Sequence, residues 1–412
     1  MDRRFFLRGL ATAACSVAAH PMMTTVTLAG SDGGRPLGDH RLIVMILRGA
    51  MDGLDAVQPQ GDPDYAALRP TLLQPDAVDL DGFFALHPAL GGLMPLWGAG
   101  QLAFVQATAT PYRYKRSHFA GQDMLEAGTG MDVPLDQVKD GWLNRLLQVV
   151  PGLTAETAYA IGRDAVPVLA GAAAVRNWAP EAVLNLSPQA RLLFEAVYHD
   201  DALFSAAASE AMELAEAGDT SMGLSAKGMS AKGTDRVAGV KLDDVEKLVT
   251  YAAGRLRQDT RIAAFSLSGW DTHRGQAGNL GKALTRLQYA ILQLQEKLGP
   301  DVWGKTTLLA VTEFGRTARE NGTMGTDHGT GGTMVAAGGA VRGGQMYGKW
   351  PGLAEADLFE ARDLMPTSDV RAWAAHAMQG MYGIERAVLE GVVFPGLDMG
   401  GLDLRGAPGL IL

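Results

Sequence analysis

An α/β fold built on a mostly parallel sheet is what this 412-residue chain predicts, and three observations carry that expectation. Short apolar runs recur at Arg41–Leu47, Leu102–Thr108, Ala263–Ser268, Leu308–Val311 and Thr333–Ala337, as strands buried on both faces require. Segments with helical spacing of apolar residues lie among them. Four of the runs stop abruptly, and a carboxylate, an imidazole or a hydroxyl follows among glycines, the pattern of strands whose carboxyl ends open on a crevice.

The amino terminus reads as an export address. MDRRFFLRGLATAACSVAA pairs Arg3 with Arg4, follows them with Phe5, Phe6, Leu7 and Arg8, and continues as a short alanine-rich apolar run. It resembles a twin-arginine signal, with cleavage after Ala19 or Ala29, so residues 1–29 are read as a signal peptide. The expected partner is the twin-arginine machinery and the expected location is periplasmic or secreted, reached in the folded state. That route favours a metal already held in the fold.

Cys15 is the single cysteine and falls within the signal, so a mature chain offers neither a disulfide nor a thiolate metal site. Loss of residues 1–29, with three arginines and one aspartate, takes the formal net charge from −9 to −11. No basic run with interleaved aromatics is present, which excludes a nucleic-acid surface, and the mature chain carries no apolar stretch long enough to span a membrane.

Residues 30–40 read as a Gly/Asp/Pro-rich linker, and residues 41–412 as a single α/β domain. The first run leads into RGAMDGLD, which sets Asp52 just past a strand end as a metal ligand or, on local grounds, a helix N-cap. FFALHPALGGLMPLW reads as an amphipathic helix after a His-Pro turn, with His87 structural. After Leu102–Thr108 comes YRYKRSHFAGQDMLEAGTG, where Ser117 and His118 open a helix that runs to about Ala127 and closes at Gly128. Ser117 is a cap or a nucleophile activated by the helix dipole, and Arg113, Lys115 and Arg116 suit an anionic substrate.

GWLNRLLQVV, Ala190–Ala217 and Leu242–Gln258 read as helices, AYAIG and VPVLA as short strands, and Ser221–Thr234 as a loop. The run Ala263–Ser268 ends in GWDTH, so Asp271 and His273, two apart in extended backbone, leave on one face. After Leu308–Val311 come Glu313 and Arg316, then Asp327 and His328 in GTDHGTGG. Ser368–Tyr382 and Glu385–Gly391 read as helices covering the sheet, with His376 packed inside the first.

Three of the eight histidines thus sit in segments that follow apolar runs, each near a carboxylate or hydroxyl. In an open parallel sheet these ends share one crevice, so groups far apart in sequence converge there. Asp and His together suit zinc, iron or manganese, whereas calcium prefers oxygens alone.

LRGAMDGLD, RSHFAGQD, GWDTH, TEFGRTARENG and GTDHGTGG, in that order, are similar to a bacterial family of twin-arginine-exported proteins, domain of unknown function 1501, grouped with the alkaline phosphatase and sulfatase superfamily. The resemblance covers most of the mature chain. It implies a three-layer α/β/α sandwich, alkaline phosphatase-like, with metal ligands at strand ends and a nucleophile at a helix amino terminus. Asp52 then matches the first-strand metal Asp, Ser117 the nucleophile, Asp271 and His273 an Asp/His pair on one metal, and His328 the late His. Glu313 stands where the superfamily has Asp followed by His, and Phe314 takes that histidine's place. His118 or Asp327 is left to substitute.

The activity this implies is metal-dependent hydrolysis of a phosphate or sulfate ester. One or two divalent ions, zinc, manganese or calcium, would activate Ser117 or a water, with Arg316 or Arg113 stabilising the developing charge. The substrate would be a small anionic ester or a glycan. The competing expectations are a non-catalytic binder of an anionic envelope component or glycan, and a metal-dependent oxidoreductase.

Overall fold

The computed structural model describes residues 37–133, 138–180, 236–237, 239–402 and 409–412. The signal, residues 30–36 of the linker, the helix expected at residues 190–217 and the loop expected at 221–234 lie outside the described residues.

Among the described residues nine strands form the main sheet: β1 (Arg41–Arg48), β2 (Leu102–Ala109), β3 (Ala158–Ile161), β4 (Arg176–Trp178), β5 (Ile262–Ser268), β6 (Thr306–Val311), β7 (Gly332–Ala337), β8 (Gln345–Tyr347) and β9 (Ser368–Asp369). Their order in space is β8-β2-β7-β6-β1-β5-β3-β4, with β9 also pairing β2. All pairings are parallel except those of β7, which runs against both neighbours. The mostly parallel α/β sheet expected from the apolar runs is present, and the reversal of β7 matters for the site. It brings both ends of the segment between β6 and β7 to the same sheet edge at which β1, β2 and β5 terminate.

β1 sits near the middle of the sheet, and its alternation divides the core in two. Leu42, Val44 and Ile46 pack on one face with residues of α2 (Trp142–Val149) and α5 (Val370–Tyr382). Ile43, Met45 and Leu47 pack on the other with α3 (Asp243–Leu256) and α4 (Gln276–Trp303). Every one of these six strand residues is fully buried, so the run is continuous rather than alternating in sequence because both faces are covered.

α4, the longest described helix, was not among the elements read from the sequence, although Leu280, Leu284, Leu287, Ile291 and Leu294 repeat at three and four residues and are all buried. It is interrupted at Gly299, where φ is +73° before Pro300. VPVLA, expected as a strand, is a 3₁₀ turn at Pro167–Leu169 instead. Pro167 has no N–H to give a sheet ladder and its fixed φ suits the first position of a helical turn. β4 was likewise unread, its three residues being half-buried or exposed.

At the opposite edge from the site, Asp39 is held by Lys305 Nζ at 2.7 Å and by Arg41. The hydrogen bonds from Lys305 and Arg41 keep its carboxyl far below the ordinary value of 3.8. A depressed carboxylate contributes stability that is present above that value and lost as pH falls beneath it. Asp39→Asn is therefore expected to cost about 0.5–1 kcal/mol near pH 7, solvent screening included, and nothing well below pH 3.8. Urea unfolding of both proteins across that window measures it. A difference that persists unchanged into acid would contradict it.

Candidate functional site

β1 ends at Arg48, and the chain then turns through Gly49 at φ +120° and Ala50 at φ +60°. A Cβ on Gly49 would stand 2.7 Å from the backbone nitrogen of Asp271, so only glycine lets the turn after β1 touch the turn after β5. Gly325 performs the same service between the β6–β7 segment and the β5 turn, since a Cβ there would come within 2.4 Å of the His273 carbonyl. Trp270, fully buried, anchors the β5 turn through its indole N–H to Leu267 O at 2.8 Å.

On this frame three imidazoles and one carboxylate meet. The ligand atoms of His118, Asp271 and His328 lie within 4.8 Å of one another. His273 Nε2 is 3.1 Å from Asp271 Oδ1 and 2.9 Å from His328 Nε2. Asp271 Oδ1 is also 3.4 Å from His328 Nε2 and 3.5 Å from His118 Nε2. Every ring points the same nitrogen inward because its Nδ1 is engaged elsewhere. His118 Nδ1 meets Glu313 Oε1 at 2.7 Å, His273 Nδ1 meets Asp327 Oδ1 at 2.9 Å, and His328 Nδ1 donates to the Arg116 carbonyl at 2.8 Å. An acceptor at Nδ1 puts the proton there and leaves Nε2 with its lone pair. The Nε2 of His118 is buried and has no hydrogen-bond partner.

Such lone pairs aimed at one another and at a carboxylate oxygen repel unless a cation or proton lies between them. Tetrahedral coordination at about 2.0–2.1 Å per bond spaces ligand atoms by about 3.3 Å, close to the distances of Asp271 Oδ1 from the three Nε2 atoms. The mutually close group is His118, Asp271 and His328, with His273 beside the last two. The residues present fit a single divalent cation.

Charges around the site follow the same geometry. The hydrogen bond to Glu313 raises the His118 pKa above 6.5 despite burial. Burial lowers that of His328, opposed by its bond to the Arg116 carbonyl and reinforced by nearby cationic groups. Burial pushes the carboxyls of Glu313, Asp271 and Asp327 upward, but their partners outweigh it: His118 and Gln122 at Glu313, Arg316 at Asp271, His273 and Asn321 at Asp327. All three stand below their ordinary values.

The site residues read from the sequence divide into two groups. Asp271, His273, His328 and His118 come together, with Asp327 and Glu313 one step behind. Glu313 is fully buried and also accepts from Gly49 N at 3.0 Å, Gln122 Nε2 at 3.1 Å and Thr312 Oγ1 at 3.1 Å, so it orients His118 from behind. Phe314 lies against the His118 ring at 5.3 Å and 19° and supplies an apolar wall.

Asp52 stands apart from the imidazoles. Its carboxylate caps the short helix Gly53–Ala56 through Asp55 N, pairs with Arg69 at 2.9 Å, and accepts from Gln276 Nε2 at 2.8 Å and Thr326 Oγ1 at 3.0 Å. The cap expected on local grounds is what forms. Arg316 is buried too, and its guanidinium donates to the carbonyls of Gly49, Ala50, Trp270 and Thr326 and to Asp271 Oδ1 at 2.6 Å. It ties three turns together and fixes Asp271 rather than facing an open crevice. Arg113 donates to Tyr112 O at 2.8 Å, again a backbone partner.

Ser117 precedes α1 (His118–Ala127) and its side chain makes no cap bond, while its backbone N–H donates to Tyr112 Oη at 2.8 Å. Its hydroxyl is therefore not engaged as the cap that its position suggested.

Arg69 and Gln276 were missed in the sequence. Gln276 accepts from Thr272 Oγ1 at 2.9 Å and Thr326 Oγ1 at 2.6 Å, and donates to Asp52 and Asp55 at 2.8 Å each. Thr272 lies between Asp271 and His273, and Thr326 precedes Asp327 and His328, so one amide ties together the two segments that carry the cluster. The available signal was a glutamine opening a helix directly after GWDTH. Burial beside Asp52 pushes the Asp55 carboxyl up to about 6.

Among the described residues no helix is long and apolar enough to cross a membrane. Two solved structures are similar over much of the chain. One, Ps i-CgsB, is 9% identical with a TM-score of 0.37, over 84% of this chain and 72% of that one. The other, the lipoteichoic acid synthase LtaP from Listeria monocytogenes, is 10% identical with a TM-score of 0.31, over 71% of this chain and 59% of that one. No curated protein matches the sequence. The profile of the proteins of unknown function DUF1501 matches residues 39–393, and the chain belongs to that family.

Proposed function

We propose that the protein is an exported hydrolase of a phosphate or sulfate ester, working at one divalent cation held by His118, Asp271, His273 and His328. The observation that carries this is the set of Nε2 atoms, each freed by an acceptor at Nδ1, around Asp271 Oδ1. Three imidazoles with one carboxylate favour zinc, manganese or iron over calcium. A cation there supplies Lewis-acid polarisation of the ester oxygens and activates a nucleophile at neutral pH.

The chain's own residues do the rest. Glu313 and Asp327 hold the His118 and His273 rings in place, and Arg316 holds Asp271 and offsets its charge. Ser117, with an uncommitted cap position at the amino end of α1, is the candidate nucleophile, and the partial positive charge of that helix end would favour negative charge developing beside it. Phe314 keeps water from one side of the imidazoles. The paired Arg3 and Arg4 support export by the twin-arginine route, which would carry the folded, loaded protein to the periplasm.

Elemental analysis of protein purified from its exporting host, combined with assays on p-nitrophenyl phosphate and p-nitrophenyl sulfate, tests the proposal. One zinc or manganese per chain with turnover of either ester, both lost to a chelator, is expected. Redox-active iron without ester turnover would favour the oxidoreductase instead, and an empty centre would favour a binding protein.

A further inference from the structure

Beside the imidazole cluster lies a cleft of about 590 Å³, well within the range of small-molecule sites. Two bonds join it to the cluster. Asp327, on one wall, holds His273 Nδ1 at 2.9 Å, and Arg362, on another, donates from Nη1 to the His328 carbonyl at 3.0 Å. Its edge also carries backbone strain. Glu360 and Ala361 are consecutive non-glycine residues at φ +53° and +51°, a conformation that L side chains resist and that clusters at ligand clamps.

The walls say what fits. Four carboxylates, Asp64, Glu320, Asp327 and Glu355, face two guanidiniums, Arg319 and Arg362. A ligand body bearing many negative charges would meet net repulsion. The apolar lining is wholly aliphatic, so no flat aromatic face invites an aryl group. Asn321 and Thr317 spend their donors within the protein, on His273 O, Asp327 and Arg319 O. The carboxylates, which only accept, and the guanidiniums, which donate, are therefore what match groups that do both, namely sugar hydroxyls.

We propose that this cleft binds the neutral, hydroxyl-rich body of a saccharide whose single ester group reaches the cluster. This rests on the hydrolase reading above and narrows it from any small anionic ester to a sugar ester.

Metal-loaded full-length protein is assayed on p-nitrophenyl phosphate and sulfate and on glucose 6-phosphate, galactose 6-sulfate and N-acetylglucosamine 6-sulfate. At least one sugar ester is expected to show kcat/KM about tenfold above the matching aryl ester. In the double variant Asp64→Ala/Arg319→Ala, KM for that sugar ester should rise about tenfold, with kcat and the aryl-ester constants held within about twofold. Aryl esters turned over as well as every sugar ester, an equal rise in KM for both classes, or an unchanged KM for the sugar ester would each overturn the proposal. Should no ester be turned over, the hydrolase reading fails by itself, and calorimetry with maltotriose and chitotriose decides the cleft. Binding weakened by the double variant sustains it, and no heat with either sugar overturns it.

Discussion

Asp271→Asn is expected to abolish binding of the proposed cation while leaving the fold in place. Asp271 Oδ1 is the one anionic atom around which the Nε2 atoms of His118, His273 and His328 gather, so the variant removes the charge that balances a divalent ion. Loss of an orienting partner behind a ligand typically lowers metal affinity by about 10–100-fold, and loss of a ligand itself should exceed that range. The amide oxygen still accepts from Arg316, whose other donors go to four backbone carbonyls. Alanine is the poorer choice, because it strips the buried guanidinium of its carboxylate. That could cost up to about 3 kcal/mol, less whatever the half-exposed Asp271 already shares with water. Competition of both variants against a chromophoric chelator, beside thermal melts without metal, separates the two effects. Wild-type affinity in Asp271→Asn would remove the aspartate from the centre.

The largest loss of stability should follow from Arg69→Met. Arg69 and Asp52 are both fully buried, and the guanidinium also bonds the carbonyls of Thr317 and Ala318 at 2.7 and 2.9 Å. Removing it strands Asp52 beside Asp55, whose carboxyl burial and Asp52 already raise to about 6. A buried charge left without its partner costs about 3–5 kcal/mol. Adding Asp52→Asn to the same chain removes that charge and should recover a large part of the loss, a coupling that a double-mutant cycle reads directly. Additive losses in the cycle would mean that the pair is not an energetic unit. The metal affinity of the double variant is informative too, because Asp52 and Gln276 together brace Thr326 next to Asp327 and His328.

How far the site could be read in advance depended on what kind of information each residue carried. Asp271 and His273 were legible because they lie just past a run of strand-forming apolar residues, and the edge at which a parallel strand ends follows from its direction; His328 precedes β7, whose reversed direction brings it to that edge. Glu313 was found by the same rule, yet its role was not. Whether a carboxylate binds an ion or holds a histidine depends on which lone pairs are already taken, and Glu313 spends its own on His118, Gly49, Gln122 and Thr312. Asp52 shows the same limit from the other side, since Arg69, seventeen residues further on, captures it. Nothing in RGAMDGLD names that partner.

α4 was missed for a simpler reason. Its buried leucines keep helical spacing, but glycines at 278 and 281 and the break at Gly299 interrupt a segment that tertiary packing then holds against the sheet.

By itself the sequence determined the layered α/β character, the edge of the sheet where polar groups would gather, and most of the residues that gather there. These follow from local patterns: apolar runs, glycine turns and the side-chain period of a strand. Only the tertiary structure decided which of those residues meet. It reversed β7, so that Glu313 and His328 return to one edge, closed Asp52 with Arg69, and turned three imidazoles toward a common point. Such choices depend on hydrogen bonds between residues tens to hundreds of positions apart, for which the chain carries no local mark.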